Sequence, residues 1–380
     1  IVNSQKGVYA HMKLVCSKSN LLTGLQVVSK AVPNKTTMSI LECILIDSTS
    51  GEIKLTANDM ELGIETIIEG EILEKGIIAL DAKIFLEIVR KLPDNDITIT
   101  TDSNFKTAIT CEKAKFNIIG KSGEDFSYLP MIERNESIII SQYTLKEVIR
   151  QTIFSISDND NNKLMSGELF EINGEEMRVI SLDGHRISIR KIHLKNSYPA
   201  KKVVVPGKTL NEISKILSGD ADKDVTIFFT DKHIVFEFEN TTVVSRLIEG
   251  EYFKIDQMLS SDYETKVIIH KKELLDCIDR ATLLIKEGDK KPIIINITDG
   301  SMELKINSTV GSMDEEIDIE KMGKDLMIGF NPKFLIDALR VIDDETITIY
   351  LVNPKAPCFI RDEENNYIYL ILPVNFTTVS

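Results

Sequence analysis

Six times along the chain, a short apolar and mostly β-branched run leads directly into a segment whose apolar residues fall at helical spacing. The runs are Lys13-Leu14-Val15-Cys16 ahead of 17–32, Ile77-Ile78-Ala79-Leu80 ahead of 81–92, and Ile138-Ile139-Ile140-Ser141 ahead of 144–155. Val203-Val204-Val205 ahead of 207–218, Val267-Ile268-Ile269-His270 ahead of 271–286, and Leu326-Met327-Ile328-Gly329 ahead of 331–341 complete the set. The helical segments begin at intervals of 64, 63, 63, 64 and 60 residues, which marks an internal repeat. Within them, apolar residues recur at i, i+3, i+4 and i+7, as in Phe85, Ile88, Val89 and Leu92 or Leu274, Cys277, Ile278 and Ala281. One face of each helix must therefore be buried.

Between the helices lie alternating runs such as Ile97-Thr98-Ile99-Thr100, Thr226-Ile227-Phe228-Phe229 and Thr346-Ile347-Thr348-Ile349-Tyr350, bounded by Gly, Asn and Asp. These read as antiparallel strands and hairpins. One unit is a strand, a helix and about three more strands, and six units pair into three similar α+β domains, each a duplication. Polar tracts at Met131–Glu136 and Leu259–Glu264 place the boundaries, giving domains at 12–134, 135–262 and 263–380. Residues 1–11 have no period, and a natural-looking start follows at Met12, so they read as an appended remnant outside the fold.

Composition narrows the class. Hydrophobic content of 43% and charged content of 27% are globular values, which exclude a disordered or collagen-like chain. No apolar run approaches the ~20 residues of a membrane span and no signal peptide is evident, so a cytoplasmic protein with no membrane partner is expected. Cys16, Cys43, Cys111, Cys277 and Cys358 are far apart, odd in number and set in or beside apolar runs, and read as buried thiols. With no C-x-x-C pair and five histidines, neither a metal nor another cofactor is expected.

The 45 Lys+Arg against 59 Asp+Glu give a formal charge of −14, which as an average argues against nucleic acid. The repeat divides that average. The six helical segments hold 15 basic and 8 acidic residues, a net +7, leaving −21 on the rest of the chain. No helical segment is net negative, and helices related by a repeat share a structural role, so a surface that they line together is positive. If helices at ~10 Å spacing closed a ring, six would leave a bore of about 9 Å and twelve a bore of about 28 Å. A DNA duplex is at least ~16 Å across, so only two chains could encircle it.

Chemical motifs are sparse. Gly207-Lys208-Thr209 mimics the end of a P-loop, but Lys202 stands where the first glycine is needed. Asp183-Gly184-His185 reads as a turn beside a histidine, since no nucleophile or metal partner accompanies it. The pairs Asp343-Asp344 and Glu315-Glu316 read as solvated faces. From the residues by themselves a non-enzymatic DNA ring, a nucleotide-using enzyme built on Gly207-Lys208-Thr209 and His185, and a β-rich structural protein all stay open.

Leu182-Asp183-Gly184-His185-Arg186-Ile187 resembles the T-D-G-H-R-L motif of the bacterial sliding clamps, the β subunits of DNA polymerase III. Val204-Val205-Pro206, Gly329-Phe330-Asn331 and the ending Tyr369-Leu370-Ile371-Leu372-Pro373-Val374 extend the resemblance over essentially all of 12–374. It implies a non-enzymatic processivity factor without cofactors. Such a factor is a head-to-tail homodimeric ring on duplex DNA that tethers a polymerase and other peptide-motif proteins and is opened by an ATP-driven loader.

The resemblance also implies roles for residues. Lys35, Lys83, Arg90, Asn159, Lys163 and Lys208 match DNA-contact positions, and charge placement adds Lys146, Arg150, Lys215 and Arg280. Contacts to phosphate position a protein without reading sequence, which suits sliding. A pocket for partner peptides with Gln and Leu/Phe anchors is implied at Met165, Leu182, Gly184, His185, Arg186, Ile187, Phe253, Met258, Phe334, Leu370, Leu372, Pro373 and Val374. At the seam between subunits, Phe116 and Ile118 match positions that pack on Leu283 and Leu284 of the neighbouring copy.

Overall fold

In the computed structural model, residues 11–158 and 161–377 are described. All six strand-to-helix transitions are present. The helices are α1 (Lys18–Val28), α2 (Ala82–Lys91), α3 (Gln142–Arg150), α4 (Gly207–Ile216), α5 (Lys271–Thr282) and α6 (Pro332–Val341). Five follow a strand directly and α6 follows after one residue, and in three of them the residue before the helix caps it. Ser17 accepts from Asn20 N, Asp81 from Ile84 N, and Asn331 from Lys333 N with Pro332 in the first turn. An extended residue whose side chain satisfies a free helical N–H switches the backbone in one step.

The chain forms two compact units, one of residues 1–143 with 215–247 and one of residues 144–214 with 248–380. The first holds a five-stranded sheet, in the order Glu71–Glu74, Met12–Ser17, Asp96–Thr101, Lys106–Cys111, Ala114–Ile119, and a nine-stranded sheet running from Lys121–Ser122 to Ser137–Ser141. α1 and α2 pack together there. Gly24 lets α1 lie close on strands Ile53–Asn58 and Leu62–Ile68, since a Cβ there would lie 2.5 Å from Ile68 and 2.8 Å from Leu55.

The second unit holds a seven-stranded sheet with the long hairpin Gly167–Leu182 and Arg186–Pro206 at one edge. It also holds a four-stranded sheet in the order Ser312–Asp318, Ser301–Asn307, Ile293–Thr298, Leu326–Phe330. All pairings are antiparallel. Burial alternates along Met12–Ser17 and Ile293–Thr298, and on α5 it falls on Leu274, Cys277, Ile278 and Ala281, as the periodicity predicts.

Three helices end well short of their apolar patterns, the first being α1, which stops at Val28 and gives way to the 3-10 turn Ser29–Ala31. The segment 144–155 is helical only to Arg150, and Ile153–Ser155 forms a 3-10 turn. Thr152 turns its hydroxyl back to Val148 O at 2.6 Å, a bond that competes with helix propagation. α5 stops at Thr282 instead of 286, its end tightened by Leu283 N and Leu284 N donating three residues back to Arg280 O and Ala281 O. The five cysteines are buried and free, and burial pushes the thiols of Cys16, Cys277 and Cys358 up to about 12. Among the described residues, no helix is long and apolar enough to cross a membrane.

Candidate functional site

The site is built on the turn joining the two long strands of the second unit. Asp183 accepts from His185 N at 2.9 Å and Arg186 N at 3.1 Å, and Gly184 takes φ +88°, which a side chain would oppose. This Asx-type turn spends the Asp183 carboxylate on the backbone and on Arg186. His185 is left stacked on Phe334, with ring centroids 6.0 Å apart and an interplanar angle of 23°.

Arg186 fixes the turn to the rest of the unit. Its Nε donates to Asp183 Oδ2 at 3.0 Å, Nη1 to Asp337 Oδ2 at 2.7 Å, and Nη2 to Phe154 O at 2.8 Å. Its guanidinium lies 4.4 Å from the Phe334 centroid and 5.5 Å from that of Phe154. At 6% exposure this is a buried cation matched on edge and face. Phe154 and Asp337 were invisible to sequence reasoning as site residues. Asp337 has a local signal in its i+4 spacing from Lys333, with which it pairs at 2.9 Å, whereas nothing in the sequence points to Phe154.

The proposed peptide-pocket residues separate into two adjoining surfaces. Leu182, Ile187 and Leu370 belong to one buried apolar cluster, with Met165 and Phe253 partly buried against it. His185, Phe334 and Val374 line a cleft of about 790 Å³ whose far wall is the 285–292 segment. Leu372 and Val374 stand at the rim, 36% and 37% exposed, and Pro373 between them is half-buried. Met258 is exposed beyond the one-turn helix Ile255–Gln257 and is not brought into the cluster. The arrangement offers apolar anchoring with a few fixed polar groups, which suits an extended peptide.

The proposed DNA contacts are mostly on helix surfaces. Lys83, Arg90, Arg150, Lys208, Lys215 and Arg280 are exposed and Lys146 is half-buried. Lys35 is exposed on a loop and Lys163 at the start of the 3-10 turn Lys163–Ser166, while Asn159 lies outside the described residues. The arginines are already engaged: Arg90 with Glu87, Arg150 with Glu147 at 2.7 Å and Asp343 at 3.5 Å, and Arg280 with Glu315. Lys35, Lys83 and Lys163 have no ion pair among the described residues. Of these partners Asp343 and Glu315 lie outside the helices and offset part of their +7, and Lys35, Lys83 and Lys163 hold the charge most available to phosphate.

The seam residues lie on or beside exposed elements. Phe116 is 41% exposed on Ala114–Ile119, an edge strand of its sheet, where Ile118 is half-buried and Ile119 is 82% exposed. Leu283 is 80% exposed, and Leu284 packs partly on the core of its unit. Gly207, by contrast, cradles nothing: a Cβ there would lie 2.3 Å from Ile156 and 2.8 Å from Ser166 O, so the helix start is packed by protein.

Comparison with known proteins accounts for nearly the whole chain. Sequence profiles of the N-terminal, central and C-terminal domains of the DNA polymerase III beta subunit match residues 12–130, 139–254 and 256–375. A Staphylococcus aureus beta sliding clamp is 33% identical over 374 residues, covering 96% of this chain and 99% of that protein. A crystal structure assigned to a DNA polymerase III beta subunit of Eubacterium rectale superposes with a TM-score of 0.95 at 77% identity, over 96% of this chain and all of that one. The Bacillus subtilis sliding clamp does so with a TM-score of 0.94 at 32% identity, over 97% of this chain and 100% of that one. With three consecutive domain matches and a strand-to-helix repeat that recurs six times, the chain belongs to the DNA polymerase III beta-subunit family of sliding clamps.

Proposed function

We propose that this chain is a non-catalytic processivity clamp of three domains, at 12–134, 135–262 and 263–380, working in the cytoplasm. Two copies close head to tail around duplex DNA, and the ring holds a polymerase by topology. The observation that carries this reading is the run of beta-subunit domain matches over 12–375. Lys35, Lys83, Arg90, Lys146, Arg150, Asn159, Lys163, Lys208, Lys215 and Arg280 face phosphate without reading sequence. Partner proteins, among them polymerase and an ATP-driven loader, insert short peptides at His185, Phe334, Leu372 and the apolar cluster beside them.

Two sheet edges support closure between copies. Ala114–Ile119 and Ser312–Asp318 are each the last strand of a sheet, and an open edge is a template for pairing with another chain. Residues 113–119 hold Lys113 and Lys115 and no acid, whereas 312–318 hold Asp314, Glu315, Glu316 and Asp318 and no base. Opposite charge favours this pairing over either edge with itself. Sedimentation at micromolar concentration tests it. The chain should run at twice its own mass, and Phe116→Asp should weaken the dimer about a hundredfold. A wild-type monomer, or a dimer indifferent to Phe116→Asp, contradicts the reading.

A further inference from the structure

Beyond the strand Tyr367–Ile371 the chain stays extended and is fastened at every second residue. Leu372 N–H donates to His185 O at 2.9 Å, and Val374 N–H donates to Gly329 O at 2.8 Å. Pro373, between them, has no N–H to offer. The third tie is a ring. A Cβ on Gly329 would fall 2.7 Å from Phe376 Cδ1 and 3.4 Å from its Cε1, so Phe376 occupies the space that any larger residue at 329 would need.

Gly329 belongs to Leu326–Phe330, which pairs on its other side with Ile293–Thr298 and ends the four-stranded sheet. The tail is therefore fastened to that edge in the manner of an added strand. Val374 and Asn375 line the cleft and Phe376 does not. The residue that anchors the wall is thus separate from the residues that form it.

We propose that Phe376 is a positioning residue for the peptide site: docked on Gly329, it holds Val374 and Asn375 in place as the wall of the cleft without touching the ligand. The proposal rests on the peptide-site reading above. A tail held by two hydrogen bonds and one ring exchanges between docked and free states. Apparent affinity scales with the docked fraction, because a free wall must be ordered before it can bind.

The test uses the full chain and a fluorescein-labelled decapeptide carrying Gln and Leu/Phe anchors, read by anisotropy. Phe376→Ala should weaken binding about tenfold, and Phe376→Leu, which keeps an apolar cap, should recover most of the loss. Gly329→Ala, which puts a methyl where the ring sits, should reproduce the loss. The double variant should be no worse than either single one, since both act on one docking event.

Hydrogen exchange at the Val374 amide supplies a readout independent of peptide, and should accelerate about tenfold in both single variants. Wild-type affinity in Phe376→Ala overturns the proposal, whether or not exchange changes. So does unchanged exchange at Val374. Failure of the unmodified chain to bind the peptide contradicts the peptide site itself and is seen before any variant is made.

Discussion

Arg186 and Glu168 are both buried in the long hairpin of the second unit, at 6% and 0% exposure, but their surroundings differ completely. Arg186 has three donors matched to oxygens and two aromatic faces against it. Neither carboxyl oxygen of Glu168 has a hydrogen-bond partner among the described residues. The nearby hydroxyl of Thr152 donates its proton to Val148 O instead. Burial pushes the Glu168 pKa up to about 8, and the Tyr252 hydroxyl is raised by its own burial and by Glu168. A buried charge persists where the fold supplies its partners, and where it does not the group takes up a proton.

The sharpest way to break this contrast is to unmatch Arg186. Arg186→Met should cost about 3–5 kcal/mol in denaturant unfolding, since Asp183 and Asp337 lose a buried partner. A loss under 1 kcal/mol would mean that the network contributes geometry and little stability.

Glu168 predicts a pH dependence of definite sign. Its folded-state pKa lies above the unfolded value, so the folded chain binds more protons between pH 4.5 and about 8. Stability is then fully present below pH 4.5 and falls as pH rises from there to about 8, by about 5 kcal/mol in all. Glu168→Gln should flatten that slope, leaving the variant less stable than the parent near pH 5 and more stable near pH 9. Parallel profiles would show that Glu168 is not the titrating group.

Smaller effects sharpen the comparison. Asp337→Asn leaves an amide oxygen for Arg186 but removes the carboxylate charge that matches it, and should cost about 1–2 kcal/mol. Lys333→Ala touches the same carboxylate from the exposed side, 68% open to solvent, and should change stability by less than about 0.5 kcal/mol. If the two were equal, burial would not be what separates these contacts.

The local features of this site were legible in the sequence, and the long-range ones were not. The Asp-Gly turn, the strand-to-helix repeat and the apolar faces depend on neighbours within a few residues, where period and turn chemistry speak directly. The shortening of α3 was not legible, because the Thr152 bond back to Val148 competes with an otherwise helical pattern. Asp337 meets Arg186 across 151 residues, and no spacing rule reaches that far. Glu168 sits among apolar strand residues, and its sequence position does not reveal whether an acid there will be paired. The pairing of Arg150 with Asp343 and of Arg280 with Glu315 was missed because charge counting by segment ignores partners on other elements.

Retention on DNA of two topologies tests the central claim most directly. After loading onto a nicked circular duplex with the proposed ATP-driven loader, the protein should co-elute with the DNA through gel filtration in high salt, and cutting the circle once should release it. Equal retention on circular and linear DNA, or loss from both as salt rises, would show that it holds DNA by surface contacts and not by encirclement.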